Sequence, residues 1–396
     1  MRKILITIGS LFAALLAASA ATAQQPPVKV GLIMPYSGQF ADVATQMDNA
    51  IKLYVKLNGD TVAGRKIEFI RKDTGGIAPD VAKRLAQELV VRDNVDILAG
   101  FVLTPNAMAA GDVSAEAKKF MVVMNAATAI ITNKSPYMTR TGSTVPQNTE
   151  TLGTWAATKG GVKKAYTMVS DYGPGHDAEQ GFIRAFKEAG GEIIGSVRFP
   201  VANPDFSAFV QRAKDMNPEA IFIFVPGGAQ PAAIGKALAE RGIDPSKTKV
   251  MGMGELTEDE ARKSLGDAAL GIITVYHYDH GHDSALNKTF VAAFKETYGG
   301  RNPNIYSIGG YDGIHVIYEA LKKTGGKADG DALIAAAKGM KWESPRGPIS
   351  IDPDTRDIVQ TIYIRRVEKA GGDTRNVEFD KVENVKDPVK ARMKTN

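Results

Sequence analysis

The chain has 396 residues, 44% of them hydrophobic, with 49 basic and 44 acidic side chains and no cysteine. That length suggests two cores rather than one, and the net charge of +5, with both signs interspersed, excludes the basic stripe of a nucleic-acid binder. The missing cysteines exclude disulfides, thiolate zinc sites and lipid attachment through a cysteine.

Residues 1–23 read as a secretory signal peptide. Arg2 and Lys3 give a basic start, 4–18 is an apolar run, and Ala21-Thr22-Ala23 has the small residues of a cleavage site. Cleavage is expected near Ala23. The segment is too short and wrongly flanked for a membrane anchor.

The mature chain opens with a β-branched strand at 28–34, followed by a helix at 39–57. Strands at 66–72, 95–99 and 120–124 then alternate with helices at 78–92 and 106–118. The alternation resumes after residue 145. Helices are expected at 147–159, 177–189, 206–216 and 231–241, and strands at 164–169, 192–199, 220–225, 249–253 and 270–276. The tail 349–367 reads as two short strands about the turn Asp352-Pro353-Asp354. Alternating strands and helices imply parallel sheets covered on both faces. The fold class is therefore α/β, with two doubly wound units of similar size.

Ligands of such sheets bind outside the carboxyl ends of the strands. Five of those ends are rich in turns and hydroxyls. They are the segments from Pro35-Tyr36-Ser37, from Gly100-Phe101, from Asn125-Ala126-Ala127-Thr128, from Ser170-Asp171-Tyr172 and from Gly254-Glu255. Small residues let the backbone approach a ligand. Exposed helix N–H groups and hydroxyls hold a carboxylate, and tyrosines give an apolar wall with a polar tip. The set suits a small anion or zwitterion.

These segments carry a resemblance to the leucine/isoleucine/valine-type periplasmic binding proteins of ABC importers. The matching stretches start at Val30, Asp73, Asn125, Asp171 and Gly309, in the family's order, and the resemblance covers nearly all of the mature chain. It implies a type I bilobal fold with three hinge crossings, near 141–146, 276–280 and 347–351. The N-terminal lobe would comprise 28–143 plus 279–348, and the C-terminal lobe 144–278 plus 349–390. It implies a periplasmic monomer without cofactor, a small-molecule ligand, and ABC permease subunits as partners. Thr104, Ala126 and Thr128 would hold the ligand's carboxylate, and Tyr172 would close over it. Glu255 would meet an ammonium, and Tyr276 would lie at the cleft. Ala229-Gln230 stand where amino-acid binders place an aromatic residue. Some relatives take aromatic acids instead, for which Tyr36, Phe101 and Tyr172 could form the pocket.

Other readings carry less. Gly173-Pro174-Gly175 opens a loose dinucleotide-type loop, but its proline removes an N–H that a phosphate needs. Tyr276 to Asp283 holds three of the five histidines without a helical ligand pair. Asp73-Thr74-Gly75 has no second copy to form an aspartic-protease dyad. The alternative function is a secreted α/β hydrolase working in the same cleft.

Overall fold

Val28–Met34 (β1) is buried along almost its whole length, as a continuous apolar run inside a doubly covered sheet must be. In the computed structural model, which describes residues 25–393, it lies inside a six-stranded sheet. The signal segment expected at 1–23 lies outside the described residues. After β1 come the helix Ala41–Asn58 (α1), the hairpin Thr61–Val62 (β2) with Arg65–Asp73 (β3), and the helix Pro79–Val91 (α2). Then follow Ile97–Gly100 (β4), Thr104–Glu116 (α3), Phe120–Val123 (β5) and Met138–Arg140 (β6). The strand order is β2-β3-β1-β4-β5-β6. Apart from the β2–β3 hairpin, the pairings are parallel.

The chain then passes to a second sheet through Val145–Thr158 (α4). Thr144 caps that helix reciprocally with Gln147. The Gln147 amide also donates to the carbonyls of Ile358 and Val385, which ties the crossing to the far end of the sequence. The second sheet uses Lys164–Ser170 (β7), Glu192–Phe199 (β8), Ala220–Phe224 (β9), Lys249–Met253 (β10) and Ile273–Tyr276 (β11). They alternate with Gly173–Glu188 (α5), Phe206–Asp215 (α6), Gln230–Glu240 (α7) and Asp259–Leu265 (α8). Their mutual pairings are parallel.

The chain returns to the first sheet with Ala285–Thr297 (α9), Ile305–Lys323 (α10) and Gly330–Ala337 (α11). Sequence periodicity left this stretch unassigned. The reason is clearest for α10, which is buried on nearly every face and so shows no polar stripe. It packs on α1 with Tyr54 edge-on to Tyr311. Its glycines explain the motif from Gly309. A Cβ at Gly309 would strike the Met124 carbonyl, and one at Gly310 the Met47 carbonyl.

The tail is more extensive than its two expected strands. Lys341–Ser344 (β12), Gly347–Ile351 (β13), Ile358–Ala370 (β14) and Asp373–Val385 (β15) are antiparallel, with β14 pairing β11. The second sheet is thereby mixed, with order β12-β13-β14-β11-β10-β9-β7-β8 and β15 on β14. The closing helix Pro388–Met393 (α12) brings Lys390 to Asp357, 2.6 Å away, and Asp357 also pairs the fully buried Arg140 at 2.6 Å. This triad fastens the tail to β6 of the first sheet.

Candidate ligand-binding site

The carboxyl ends of the two sheets' parallel strands face each other. A narrow, enclosed cavity lies between them. The first sheet contributes Phe40, Val43, Val102, Leu103, Thr104, Asn125 and Ala127, together with Tyr306 from the start of α10. The second contributes Tyr172, Pro174, Phe224, Pro226, Gly227 and Glu255, with Val145 at the crossing. The amino ends of α3 and α5 therefore meet at this gap, each bringing the partial positive charge of its free N–H groups. No lysine or arginine is among the described lining residues. The walls are mainly apolar, with a few separated polar groups.

Local folding explains how those walls are held. β4 ends at Gly100, and Gly100 and the Phe101 that follows are both in the left-handed region (φ 100° and 64°) and turn the chain sharply. The Asn125 amide donates to the Val102 carbonyl at 2.9 Å, and the Thr128 hydroxyl lies 3.2 Å from that of Thr104. Behind them Arg140 gathers the carbonyls of Ala126, Thr128 and Ala129. The loop after β5 is thus anchored from inside the protein. Across the gap, Asp177 of α5 accepts from the Ala129 N–H at 3.0 Å. At another point on the interface, Asn302 donates to Asp259 at 2.7 Å.

Glu255 is the one carboxylate lining this cavity among the described residues. Its Oε1 accepts from the Tyr276 hydroxyl at 2.9 Å, while Oε2 has no partner among the described residues. Burial pushes its carboxyl up to about 7, although Tyr276 and Arg365 pull the other way. The Tyr306 hydroxyl is also buried and unpartnered among the described residues. It reaches the cavity because residue 227 is glycine: a Cβ there would collide with that hydroxyl. Burial raises the Tyr172 and Tyr306 phenols well above their usual range, so both stay protonated and able to donate.

Thr104, Tyr172 and Glu255 line this cavity. Thr128 stands one hydrogen bond behind Thr104, and Tyr276 one behind Glu255. Phe101 and Ala126 are buried in the core under the first sheet, with Leu98 and Met121. Tyr36 is outside the lining set, and the charges of Asp48 and Arg71 act on its phenol. The sequence reading missed Tyr306, Phe40, Asn125 and Phe224. The Asn125 segment had been singled out but not its side chain, and Tyr306 belongs to the helix whose burial hid it. The histidine cluster does not assemble as a metal site. His282 pairs with Glu378 at 2.9 Å, and among the described residues there is no group of three or more ligating side chains that could hold a metal. The dinucleotide-like loop has a packing explanation, since a Cβ at Gly175 would strike the Ser170 carbonyl.

A family model described as periplasmic binding protein matches residues 27–373. The chain belongs to that family. It is 43% identical over 392 residues to a Leu/Ile/Val-binding protein homolog 6 of Brucella melitensis, covering 98% of this chain and 99% of the relative. Among solved structures it resembles an ABC-transporter solute-binding protein of Rhodopseudomonas palustris BisB5 in complex with 3,4-dihydroxybenzoic acid. That match has 55% identity and a TM-score of 0.89, over 92% of this chain and 99% of the other. A second, from Rhodopseudomonas palustris HaA2 in complex with p-hydroxybenzoic acid, is 41% identical with a TM-score of 0.89, over 92% and 100%. The family and the two-lobed α/β fold expected from the sequence are both borne out. The protein is a solute-binding protein of the ABC-transporter type, and its family is one of periplasmic binders rather than of enzymes.

Proposed function

We propose that this protein captures a hydroxylated aromatic carboxylate between its lobes and delivers it to an ABC permease. One observation carries the reading: an apolar cavity without a cationic wall among the described residues holds two buried oxygens that find no partner there, Glu255 Oε2 and the Tyr306 hydroxyl. An aromatic ring suits the apolar band. Its carboxylate would meet the helix amino ends and the Thr104 hydroxyl, and its ring hydroxyl would donate to Glu255 and accept from Tyr306. The lobes, 28–143 with 279–348 and 144–278 with 349–390, would close about the crossings near 141–146, 276–280 and 347–351. Export through the signal at 1–23 and a monomeric state complete the proposal. The aromatic acids bound by the two Rhodopseudomonas relatives support it.

The name of the Brucella relatives favours a second reading, in which Glu255 pairs the ammonium of a branched-chain amino acid. Calorimetry of the purified protein with 4-hydroxybenzoate, benzoate and leucine decides between them. One-to-one binding of 4-hydroxybenzoate, recovered unchanged, is expected. Saturable leucine binding with no response to either aromatic acid would overturn the proposal, as would release of a converted product.

A further inference from the structure

A second space adjoins the cavity on its Glu255 side. Glu255, Tyr306, Val43 and Gly227 also border a second chamber of about 450 Å³. The two unpartnered oxygens, on side chains at least nine-tenths buried, therefore stand on the wall common to both spaces. Beyond them the chamber changes character. Its walls bring five carboxylates, Asp42, Glu255, Glu258, Asp259 and Glu260, against two cations, Lys263 and Arg301. Arg301 is spent on Asp42 at 2.8 Å. Asp259 is paired with Arg262 at 2.8 Å. The first cavity presents helix amino ends to an anion, and the second is lined mainly by carboxyl groups.

We propose that the second chamber is a subsite for a positively charged group carried on the far end of the ligand, so that the protein takes aromatic acids bearing a short ammonium-terminated arm opposite the carboxylate. The inference rests on the aromatic-acid reading of the first cavity. The arm would pass between Glu255 and Tyr306, and its ammonium would reach Glu258 beside Asp259. A ligand with a second carboxylate at that position would meet charge of its own sign.

Glu258 gives the idea a second readout. It stands just before α8, with no side-chain bond capping that helix. Partial burial pushes its carboxyl up to about 8; Arg365 and Arg262 pull it down, while Asp259 and Asp279 push it up. An arriving ammonium favours the ionised form, so binding of such a ligand near pH 7 should release a proton.

The test is calorimetry at pH 7.5 in two buffers of different ionisation enthalpy. The probes are 4-hydroxybenzoate, 4-(2-aminoethyl)benzoate and 4-(carboxymethyl)benzoate. The ammonium probe is expected to bind at least about tenfold tighter than the dicarboxylate, with net proton release. Glu258→Gln should weaken the ammonium probe about tenfold and abolish much of that release, while 4-hydroxybenzoate stays within about twofold. Retained 4-hydroxybenzoate binding also certifies that the variant is folded. If 4-hydroxybenzoate binds but the two charged probes bind equally, or if Glu258→Gln treats all three alike, the subsite is refuted and the aromatic-acid reading stands. If neither 4-hydroxybenzoate nor the ammonium probe binds, both fall.

Discussion

Replacing Glu255 by glutamine keeps the shape of the side chain and an acceptor for Tyr276, but removes the charge. An ionised carboxylate accepting a phenol is worth about 1.5–3 kcal/mol, and a neutral amide doing so about 0.5–1.5 kcal/mol. The free carboxyl sits at about 7, so at neutral pH roughly half of it must first ionise, at a cost of about 0.4 kcal/mol. The net loss for 4-hydroxybenzoate in Glu255→Gln is then about 1 kcal/mol, or roughly fivefold in Kd at pH 7. At pH 8 the ionisation cost has vanished and the loss approaches tenfold. Benzoate lacks the hydroxyl and should change by less than about twofold at either pH. Titration calorimetry of both acids on both proteins measures this directly. Equal losses for the two acids would refute the assignment of Glu255 to the ring hydroxyl, and so would a difference that shrinks as the pH rises.

The same carboxyl affects stability. Its folded value is raised from the usual 4.5 to about 7, so its contribution is fully present below pH 4.5 and is lost as pH rises through 7. The integrated effect is about 3 kcal/mol. Thermal unfolding without ligand should find wild type and Glu255→Gln alike near pH 4, and the variant more stable above pH 8. Gly227→Ala should displace Tyr306 and weaken every aromatic acid at least about tenfold; unchanged affinity in calorimetry would remove Tyr306 from the site. Tyr172→Ala strips a wall shared with Phe224, whose ring centroid is 6.2 Å away. It should weaken 4-hydroxybenzoate and benzoate equally, by about tenfold or more; titration of the two acids checks this. Asp357→Asn leaves Arg140 and Lys390 without their shared carboxylate. It should lower stability by about 3–5 kcal/mol, read from the denaturant midpoint.

Most of the fold was legible because its strands are short apolar runs separated by turn residues. β1, β7 and β9 fall within one residue of their expected bounds. The misses share a physical origin. α10 is buried on nearly all sides and therefore lacks the polar stripe by which a helix is read. β15 is a half-exposed edge strand whose sequence is largely polar. The candidate site was legible as positions more than as contacts. Strand ends marked the segments, and within them the family resemblance picked Thr104, Tyr172 and Glu255, which do share a cavity. The strand ends also marked Phe101, but residue type at a strand end does not fix side-chain direction. Two successive left-handed residues at Gly100 and Phe101 turn the chain there, and the ring is buried in the core. Asn125 was read as part of a hydroxyl-rich turn, whereas its amide anchors the wall through the Val102 carbonyl.

On the proposed two-lobe closure, the ligand has to favour the closed form over the open one, since tight binding to both would shift nothing. Bonds across the gap, Asp177 to the Ala129 N–H and Asn302 to Asp259, join groups of the protein alone and do not depend on what fills the cavity. They favour closure but cannot make it selective. Selectivity must come from groups whose needs differ between an empty and a filled cavity. Glu255 Oε2 and the Tyr306 hydroxyl are such groups, because closure removes them from bulk solvent and the described residues offer no partner. Solvent confined there costs up to about 2 kcal/mol per ordered water, and an oxygen left unmet costs about 1–3 kcal/mol. A ring hydroxyl that bonds both relieves these costs only when the lobes are shut. The two oxygens thus make closure conditional on the hydroxyl, and benzoate should close the lobes less completely than 4-hydroxybenzoate even where the apolar band holds both rings equally.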